Sequence, residues 1–465
     1  MNRKTFLMAA ILFAISLSAY PADLIVNVAD PNGTDDTAAI QAALNQCLAP
    51  GPVCTVQLAA GTYLIKQLFT ENFHGTFKGK GMDVTILQAL PNLPVSQEQP
   101  VWNSPPSVNN PYPMLVLFFG GDITVSDMTI RALEPNPLEG WYEYAGQLPI
   151  TAMWGILEFM GQSEEMNVFV TRAALEGKYD ESQPASDHYN ATGFSIDPYP
   201  PYVFPPPGHL SGTFRVSACR FDTLFEAIYG AVLHEARITI GGSPSEANLI
   251  QNCDWGAVLV DLDSSLVKFS YNDVSVVGSS AFAGFGAGQR IVGPIETPSS
   301  FLVQHNRIKA TGSYEDGILI LDLAPLNGEK KTGDFVISNN TIIIEPSEAS
   351  PAFAGIQSGF TEGTVIANNR IVGSGLFGIL LDGDTQAMVK GNNVNGVAAE
   401  VAPIGLTANT TNSTVVGFGK ETNVLDEGIS NTLVGVNNMQ GNSPGPVIRD
   451  AMKRKMDAIK SLGRR

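Results

Sequence analysis

Two groups of acidic residues in the second half of the chain are of a type that performs acid–base chemistry. The acids stand beside short apolar runs, and such runs recur along the chain. Two carboxyl groups held on either side of a glycosidic bond can act as acid and base in its cleavage. The candidate catalytic residues are His234, Asp261 and Asp263 in the earlier group, and Asp316, Asp322 and Asp382 in the later group.

These carboxylates have other interpretations. Asp322 and Asp382 are two repeats apart, so strand spacing predicts about 10 Å between them, at or beyond the upper limit for an inverting glycosidase. Carboxylates on neighbouring repeats also suit calcium, which makes Ca²⁺ the candidate cofactor. An Asp after a strand is also ordinary turn chemistry, as in the run that ends at Asp384.

Candidate substrate-binding residues come from the same runs and from three long segments. Residues 91–113, 133–149 and 177–211 are irregular in pattern and rich in Pro, and loops of such length usually have a function. Aromatic rings in them would bury the apolar faces of sugars, or would simply anchor the loops. The predicted substrate contacts are Trp141, Tyr202, Glu226, Tyr229 and Gln357.

A repeated phrase indicates which elements position these residues. An apolar run, an Asn, one variable residue and another apolar residue recur, with the Asn at 272, 306, 340, 369 and 392. Repeats of this length cannot bury their own apolar faces and must stack. Their β-branched residues and their Asn and Gly turns favour strands. The predicted fold class is therefore all-β, a parallel β-helix or β-solenoid.

A second phrase in each repeat predicts which side chains leave the core. Because side chains alternate along a strand, each run has an inward and an outward series. The inward series is Val258, Ile318, Ile356 and Ile379, and the outward series is Leu259, Leu319, Gln357 and Leu380. The outward series would form a column on the surface, or would lie under a loop.

The N-terminal part of the chain resembles the cap of the pectin-lyase-like superfamily. The resemblance lies in Asn32-Gly-Thr-Asp-Asp-Thr-Ala-Ala-Ile-Gln-Ala-Ala-Leu44, in Leu58-Ala-Ala-Gly-Thr-Tyr63 and in Gly79-Lys-Gly-Met-Asp-Val-Thr-Ile-Leu87. It implies a right-handed parallel β-helix whose outward strand column and overlying loops hold a substrate cleft. It also implies that calcium would serve to acidify a uronate.

The resemblance does not extend to a known catalytic motif. Arg307-Ile-Lys309 copies an element of polygalacturonases, but Arg307 is the variable residue of the repeat and the chain has no Gly-His-Gly. An alginate-epimerase Asp-Pro-His is approached only by Asp197-Pro-Tyr199. The chain also shows no zinc-binding spacing, nucleophile elbow, phosphate loop or dinucleotide motif.

Both ends of the chain differ from the repeats. Residues 1–22 have a basic start, a short apolar run and small residues, which predicts a secretory signal peptide and a secreted or periplasmic protein. Residues 23–90 are predicted to form a cap with a short helix and the first coils, and 91–440 the β-helix with its insertions. Residues 441–465 are predicted to form a basic helix that caps the last coil.

The four cysteines fit an exported protein. Cys47 and Cys54 flank a short turn, which predicts a disulfide between them. Cys219 and Cys253 both align with the repeated Asn, so stacking of coils would allow a second disulfide. Two buried thiols are the alternative.

Charge limits the class of partner. The formal net charge of −18 argues against nucleic acid and anionic membranes, and the apolar N-terminal run is too short for a membrane span. The predicted function is an exported, monomeric, carbohydrate-active protein, a lyase or glycoside hydrolase acting on an acidic polysaccharide. A non-catalytic polysaccharide-binding or cell-surface protein is the alternative, and a solenoid that contacts other proteins is a third interpretation.

Overall fold

The computed structural model describes twelve stretches of the chain: residues 23–48, 53–91, 114–133, 154–161, 165–180, 191–198, 210–286, 299–312, 316–322, 334–346, 352–417 and 422–439. The predicted signal peptide and basic C-terminal helix lie outside the described residues, as does most of the three predicted insertions. One part of segment 177–211 is regular, because Ala191–Pro198 is a strand of the β-helix.

Strands make up 69% of the described residues. One α-helix, α1, spans Thr37–Asn45, and a single 3₁₀ turn spans Pro244–Glu246. The strands are β1 Leu24–Asn27, β2 Cys54–Gln57, β3 Gly61–Ile65, β4 Leu68–Lys78, β5 Thr85–Ala89, β6 Met114–Arg131, β7 Trp154–Gly161, β8 Glu165–Glu176, β9 Ala191–Pro198, β10 Leu210–Ser217, β11 Arg220–Asp222, β12 Glu226–Gly241, β13 Leu249–Cys253, β14 Trp255–Asp263, β15 Leu266–Ser270, β16 Asp273–Val276, β17 Phe282–Gly286, β18 Ser300–Gln304, β19 Arg307–Gly312, β20 Asp316–Leu321, β21 Asp334–Ser338, β22 Thr341–Pro346, β23 Ala352–Gly359, β24 Val365–Ala367, β25 Arg370–Asp382, β26 Met388–Lys390, β27 Asn393–Leu406, β28 Thr414–Val416, β29 Asn423–Asp426, β30 Thr432–Val434 and β31 Asn437–Asn438.

The strands form a parallel β-helix. Each strand pairs in parallel with the equivalent strand of the next coil, as β14 does with β17, β17 with β20 and β20 with β23. A continuous apolar core fills the inside, with phenylalanine rings stacked from coil to coil. The centroids of Phe118 and Phe159 are 5.6 Å apart, and those of Phe159 and Phe194 are 5.4 Å apart. The all-β parallel β-helix predicted from the repeats is therefore confirmed.

The repeated Asn residues form a buried ladder at one corner of the coils. Asn306 Nδ2 donates to the backbone oxygen of Phe269 at 2.8 Å and to Oδ1 of Asn340 at 3.0 Å. The residue before the ladder Asn is left-handed, with φ of 57° at His305 and at Asn339, which turns the chain at the corner. The structure adds Asn248 to the ladder, bonded to Asn272 at 2.9 Å.

The first coil is covered as the sequence predicted. Helix α1 buries Ile40, Ala43 and Leu44 against the core. A disulfide joins Cys47 to Cys54, with their Cα atoms 5.5 Å apart, so this predicted pair is confirmed.

The predicted disulfide between Cys219 and Cys253 is wrong. Both thiols are free and buried, and burial raises the pKa of each to about 12. Cys219 does stand in the ladder column, since its backbone N–H donates to Asn248 Oδ1 at 2.9 Å. Cys253 is the last residue of β13 and is aligned with Val276 on β16. It therefore lies at a different corner of the coil from Cys219. The alternative of two buried thiols is correct.

Candidate functional site

One residue in each coil points away from the core on the sheet that contains β7, β9, β12 and β14. Pairing between strands joins these residues into one row, here called the outer row: Leu117, Glu158, Ser195, Tyr229, Val258, Ala283, Leu319, Gln357, Leu380 and Gly405. The neighbouring side chains Ile228, Ile318, Ile356 and Ile379 belong to the core. The outer row is the face on which the resemblance predicts a substrate cleft.

The prediction for the outward series was partly wrong. Val258 lies in the outer row and Leu259 in the core, the reverse of the prediction, because Ala257 rather than Val258 aligns with Ile318 through Phe282. The row is also not a surface column. Leu319 and Val258 are fully buried in a second apolar cluster on the outside of this sheet.

Glu158 is the buried carboxyl group at the early end of the outer row. It is 2% exposed, and its Oε1 has no hydrogen-bond partner in the described part of the chain. Burial raises the pKa of Glu158 well above its usual range, and the negative charge of Asp197 raises it further. Gly155 leaves room for this carboxyl group, since an added Cβ there would be 3.1 Å from Glu158 Oε2. Burial and the like charge therefore both favour the protonated form of Glu158.

Asp197 is the second carboxyl group of this site. It lies two residues beyond Ser195 on β9, on the same side of the strand, and is half-buried. Ser195 Oγ donates to Asp197 Oδ2 at 3.1 Å. A buried acid beside a more exposed carboxylate is the arrangement that separates two pKa values into an acid and a base.

Glu226 and Tyr229 lie on β12, beside this pair. Glu226 is 3% exposed, and Thr192 Oγ1 donates to its Oε2 at 3.1 Å. Tyr229 pairs with Ser195 across the strands and is half-buried. Tyr229 is therefore adjacent to Ser195, and Glu226 is aligned with Thr192 and, through it, with Gly155.

His234 in the middle of β12 and Asp263 at the end of β14 form a hydrogen-bonded dyad. His234 Nδ1 is 2.8 Å from Asp263 Oδ2, and Ser264 Oγ donates to Asp263 Oδ1 at 3.1 Å. The imidazole is about one-third exposed while the carboxylate is largely buried. His234 Nε2 is 3.8 Å from Glu235 Oε1, so the imidazole lies between two carboxylates. Asp261, two residues before Asp263, is fully buried. It lies at a bulge in β14 and has a left-handed backbone with φ of 54°.

The later acidic group is distributed over several coils. Asp316 and Asp322 are fully buried, with Asp316 opposite Ala354 across the strands. Asp382 accepts a hydrogen bond from Thr407 Oγ1 at 3.0 Å, and burial raises its pKa. β23 lies between β20 and β25, so Asp322 and Asp382 are separated by two coils, as the sequence predicted.

Gln357 lies farther along the outer row, between Leu319 and Leu380. It is 3% exposed, and its Oε1 has no hydrogen-bond partner among the residues described. Gln357 therefore lies in an apolar, closed environment rather than in an open cleft. The other two predicted substrate contacts, Trp141 and Tyr202, lie outside the described residues.

The predicted calcium site gains no geometric support. The described stretches contain no group of three or more His, Cys, Asp or Glu side chains placed to hold a metal ion. They also contain no helix long and apolar enough to cross a membrane.

The sequence analysis missed Glu158 and set Asp197 aside. Glu158 stands alone in the apolar run Ile156-Leu-Glu-Phe-Met160, and its partner Ser195 is 37 residues later, a longer interval than any between the repeated Asn residues. The signal in the sequence was the acid itself. Burying a carboxyl group costs free energy, so a Glu in an apolar run indicates a functional residue or a buried partner.

The chain has the right-handed parallel β-helix fold of the pectin-lyase-like type. The A-module of the mannuronan C-5 epimerase AlgE6 from Azotobacter vinelandii is similar, with a TM-score of 0.52 and 14% identity over 90% of this chain and 98% of that one. The AlgE4 A-module from the same organism has a TM-score of 0.46 and 14% identity, over 90% and 96% of the two chains. The Dettilon tailspike protein has a TM-score of 0.47 and 12% identity, over 89% and 68%. Neither a protein-family model nor a curated protein sequence matches the chain.

Proposed function

We propose that this protein is an exported enzyme that cleaves an acidic polysaccharide, with Glu158 as the acid and Asp197 as the base. The observation that carries the proposal is the pair itself. Glu158 is a buried carboxyl group with a raised pKa on the outer side of the sheet, and the half-buried carboxyl group of Asp197 raises that pKa further. Structural carboxyl groups are usually ionised and paired with donors or cations, so a coupled acidic pair is a candidate for acid–base chemistry.

The pair suits either of two bond-breaking reactions. In a hydrolase, Glu158 protonates the leaving oxygen while Asp197 activates water or attacks the sugar. In a lyase, Asp197 removes the proton next to the uronate carboxylate and Glu158 protonates the leaving oxygen. A neutral Glu158 also donates to an anionic sugar without charge repulsion, which favours an acidic substrate.

Two further observations support the proposal. A similar solved structure, with a TM-score of 0.52, is a module of an enzyme named for an acidic polysaccharide, mannuronan. The Cys47–Cys54 disulfide fits an oxidising compartment, in agreement with the predicted signal peptide.

The test uses the mature protein and a panel of polygalacturonate, pectin, alginate and neutral glycans, with and without calcium. New reducing ends with ultraviolet absorbance from unsaturated uronides identify a lyase, and reducing ends alone a hydrolase. Glu158→Gln should lower the rate at least about a hundredfold, since acid–base groups contribute 10²–10⁴-fold. Asp384→Asn is the matched control, because Asp384 is also a buried carboxyl group but lies in a later coil, after β25. This variant should retain the rate.

Two results would count against the proposal. Full activity in Glu158→Gln would remove Glu158 from the mechanism. Binding of one glycan with neither product would indicate the non-catalytic binding protein, after product NMR has excluded epimerisation.

A further inference from the structure

Ser195 lies between the two carboxyl groups of the proposed site. It pairs directly with Glu158 across β7 and β9, and side chains so paired are about 5 Å apart at Cβ on the same face. Its hydroxyl is within hydrogen-bonding reach of the Glu158 carboxyl group and donates to Asp197 Oδ2 at 3.1 Å. Ser195 is 3% exposed, so water does not compete freely for these bonds.

We propose that the Ser195 hydroxyl is a proton bridge through which Glu158 and Asp197 share one proton. A hydroxyl has one hydrogen to donate and lone pairs with which to accept. Because the hydrogen of Ser195 goes to Asp197, its oxygen remains as the acceptor for the acid hydrogen of Glu158. The resting arrangement is thus a chain from the Glu158 acid to Ser195 Oγ, and from Ser195 to the Asp197 carboxylate.

The transfer along this chain is balanced without any other reactant. After turnover Glu158 is a carboxylate and Asp197 is an acid, so the Asp197 proton moves to Ser195 Oγ while the Ser195 proton moves to Glu158. Glu158 becomes an acid again, Asp197 becomes a carboxylate and Ser195 remains a neutral hydroxyl. The inference rests on the proposed function, because it explains how an acid and a base return to their starting protonation states after turnover.

The bridge has a measurable consequence for titration. The Ser195 hydroxyl makes two hydrogen bonds when Glu158 and Asp197 together hold one proton. It makes only one when both carboxyl groups are ionised, and the hydroxyl therefore favours the singly protonated pair. The two apparent pKa values of the pair are thereby held apart. The titratable groups that face Glu158 in the described residues are Asp197 on β9 and Glu226 and Tyr229 on β12, while its β6 partner is Leu117.

The experiment compares Ser195→Ala with the unmodified full chain. Glutamate and aspartate carboxyl groups are followed by carbon-13 NMR across pH, with Glu158→Gln and Asp197→Asn to assign the two signals. Ser195→Ala should narrow the interval between the two apparent pKa values by about one unit, the size of one hydrogen bond. Ser195→Thr keeps the hydroxyl and should restore the interval.

Ser358→Ala is the matched control, because Ser358 Oγ also donates to an aspartate, Asp384 Oδ1, at 3.1 Å, in a different coil. It should leave the Glu158 titration unchanged. An unchanged interval in Ser195→Ala would overturn the bridge. The same result together with normal turnover would leave the proposed function intact, whereas a narrowed interval in a protein that cleaves no glycan would refute the function and retain the bridge.

Discussion

Two buried carboxyl groups, Glu158 on β7 and Asp384 after β25, satisfy burial in different ways. Asp384 Oδ1 accepts from Ser358 Oγ at 3.1 Å, from the Thr361 backbone N–H at 3.0 Å and from the Thr361 hydroxyl. For Glu158 the negative charge of Asp197 is the second-largest cause of the raised pKa, whereas for Asp384 the negative charge of Asp382 is the smallest of the causes. Burial is the largest cause of the raised pKa in both groups, so burial by itself does not distinguish a structural acid from a reactive one.

The difference lies in what surrounds each acid. The donors around Asp384 are hydroxyl and backbone groups of the adjacent coil, and they offset part of the cost of burying its charge. Glu158 lies on the side of the sheet that faces away from the core, and a second carboxylate disfavours its ionisation. A pair of carboxyl groups whose charges interact strongly is suited to exchange protons, whereas an acid that several donors surround, as Asp384 is, is suited to remain unchanged.

The largest predicted effect concerns the coupling of Glu158 to Asp197. Asp197→Asn should lower the rate of cleavage about 10²–10³-fold. The double variant with Glu158→Gln should be little slower than either single variant, because groups that act as a unit are not additive. Initial rates on the same glycan measure this, with thermal unfolding to confirm that each variant folds. Losses that multiply in the double variant would mean that the two acids act independently.

The next prediction concerns stability and pH at Asp384. Burial raises its pKa to about 6, against an ordinary value of 3.8. The folded state then binds more protons than the unfolded state between about pH 4 and pH 6, so stability falls as pH rises through that window and stays low above it. The expected loss is about 2 to 3 kcal/mol in the free energy of unfolding.

Urea unfolding at several pH values measures this dependence, and Asp384→Asn is the comparison. The difference between the two curves should change between pH 4 and pH 6 and be flat above pH 7. A difference that is flat throughout would mean that Asp384 is ionised in the folded protein at pH 4.

The sequence predicted the parts of the fold that depend on local pattern. The Asn ladder, the helix α1 and the Cys47–Cys54 pair all follow from residues within a short span or from an interval that recurs. The register between strands that are separated by long segments could not be predicted from the sequence. The sequence pattern aligns Val258 with Ile318 and so predicts Val258 in the core, but pairing through β17 aligns Ala257 with Ile318 instead.

The candidate site shows the same limit. Glu226 and Tyr229 were predicted and lie beside the carboxyl pair, but Glu158 was missed because its strand precedes the clear repeats. Asp197 was set aside because its motif differs from a known one at Tyr199. The relation that matters, Glu158 opposite Ser195, is a property of pairing between strands and has no counterpart in the local sequence.

The smallest predicted effects come from two glycine-to-alanine substitutions. Each adds one methyl group, Gly155→Ala beside Glu158 and Gly286→Ala beside Asp322. An added Cβ at Gly155 would be 3.1 Å from Glu158 Oε2 and 2.9 Å from Met114 Cγ, while one at Gly286 would be 3.2 Å from Asp322 Oδ1. Both changes overpack a closed site and should destabilise the protein by about 1 to 3 kcal/mol. Gly155→Ala should also lower the cleavage rate about tenfold by displacing the Glu158 carboxyl group, because small displacements of reacting groups cost rate.

Gly286→Ala should leave the rate per folded molecule unchanged, because Asp322 belongs to the later acidic group and not to the Glu158 pair. Rates normalised to the folded fraction of each variant decide between the groups. If Gly286→Ala lowered the rate and Gly155→Ala did not, the chemistry would belong to the later coils, where Asp322 and Asp382 were first predicted to act. The two glycines thus test the same physical change beside two different acids, and the negative charge of Asp197 raises the pKa of one of them, Glu158.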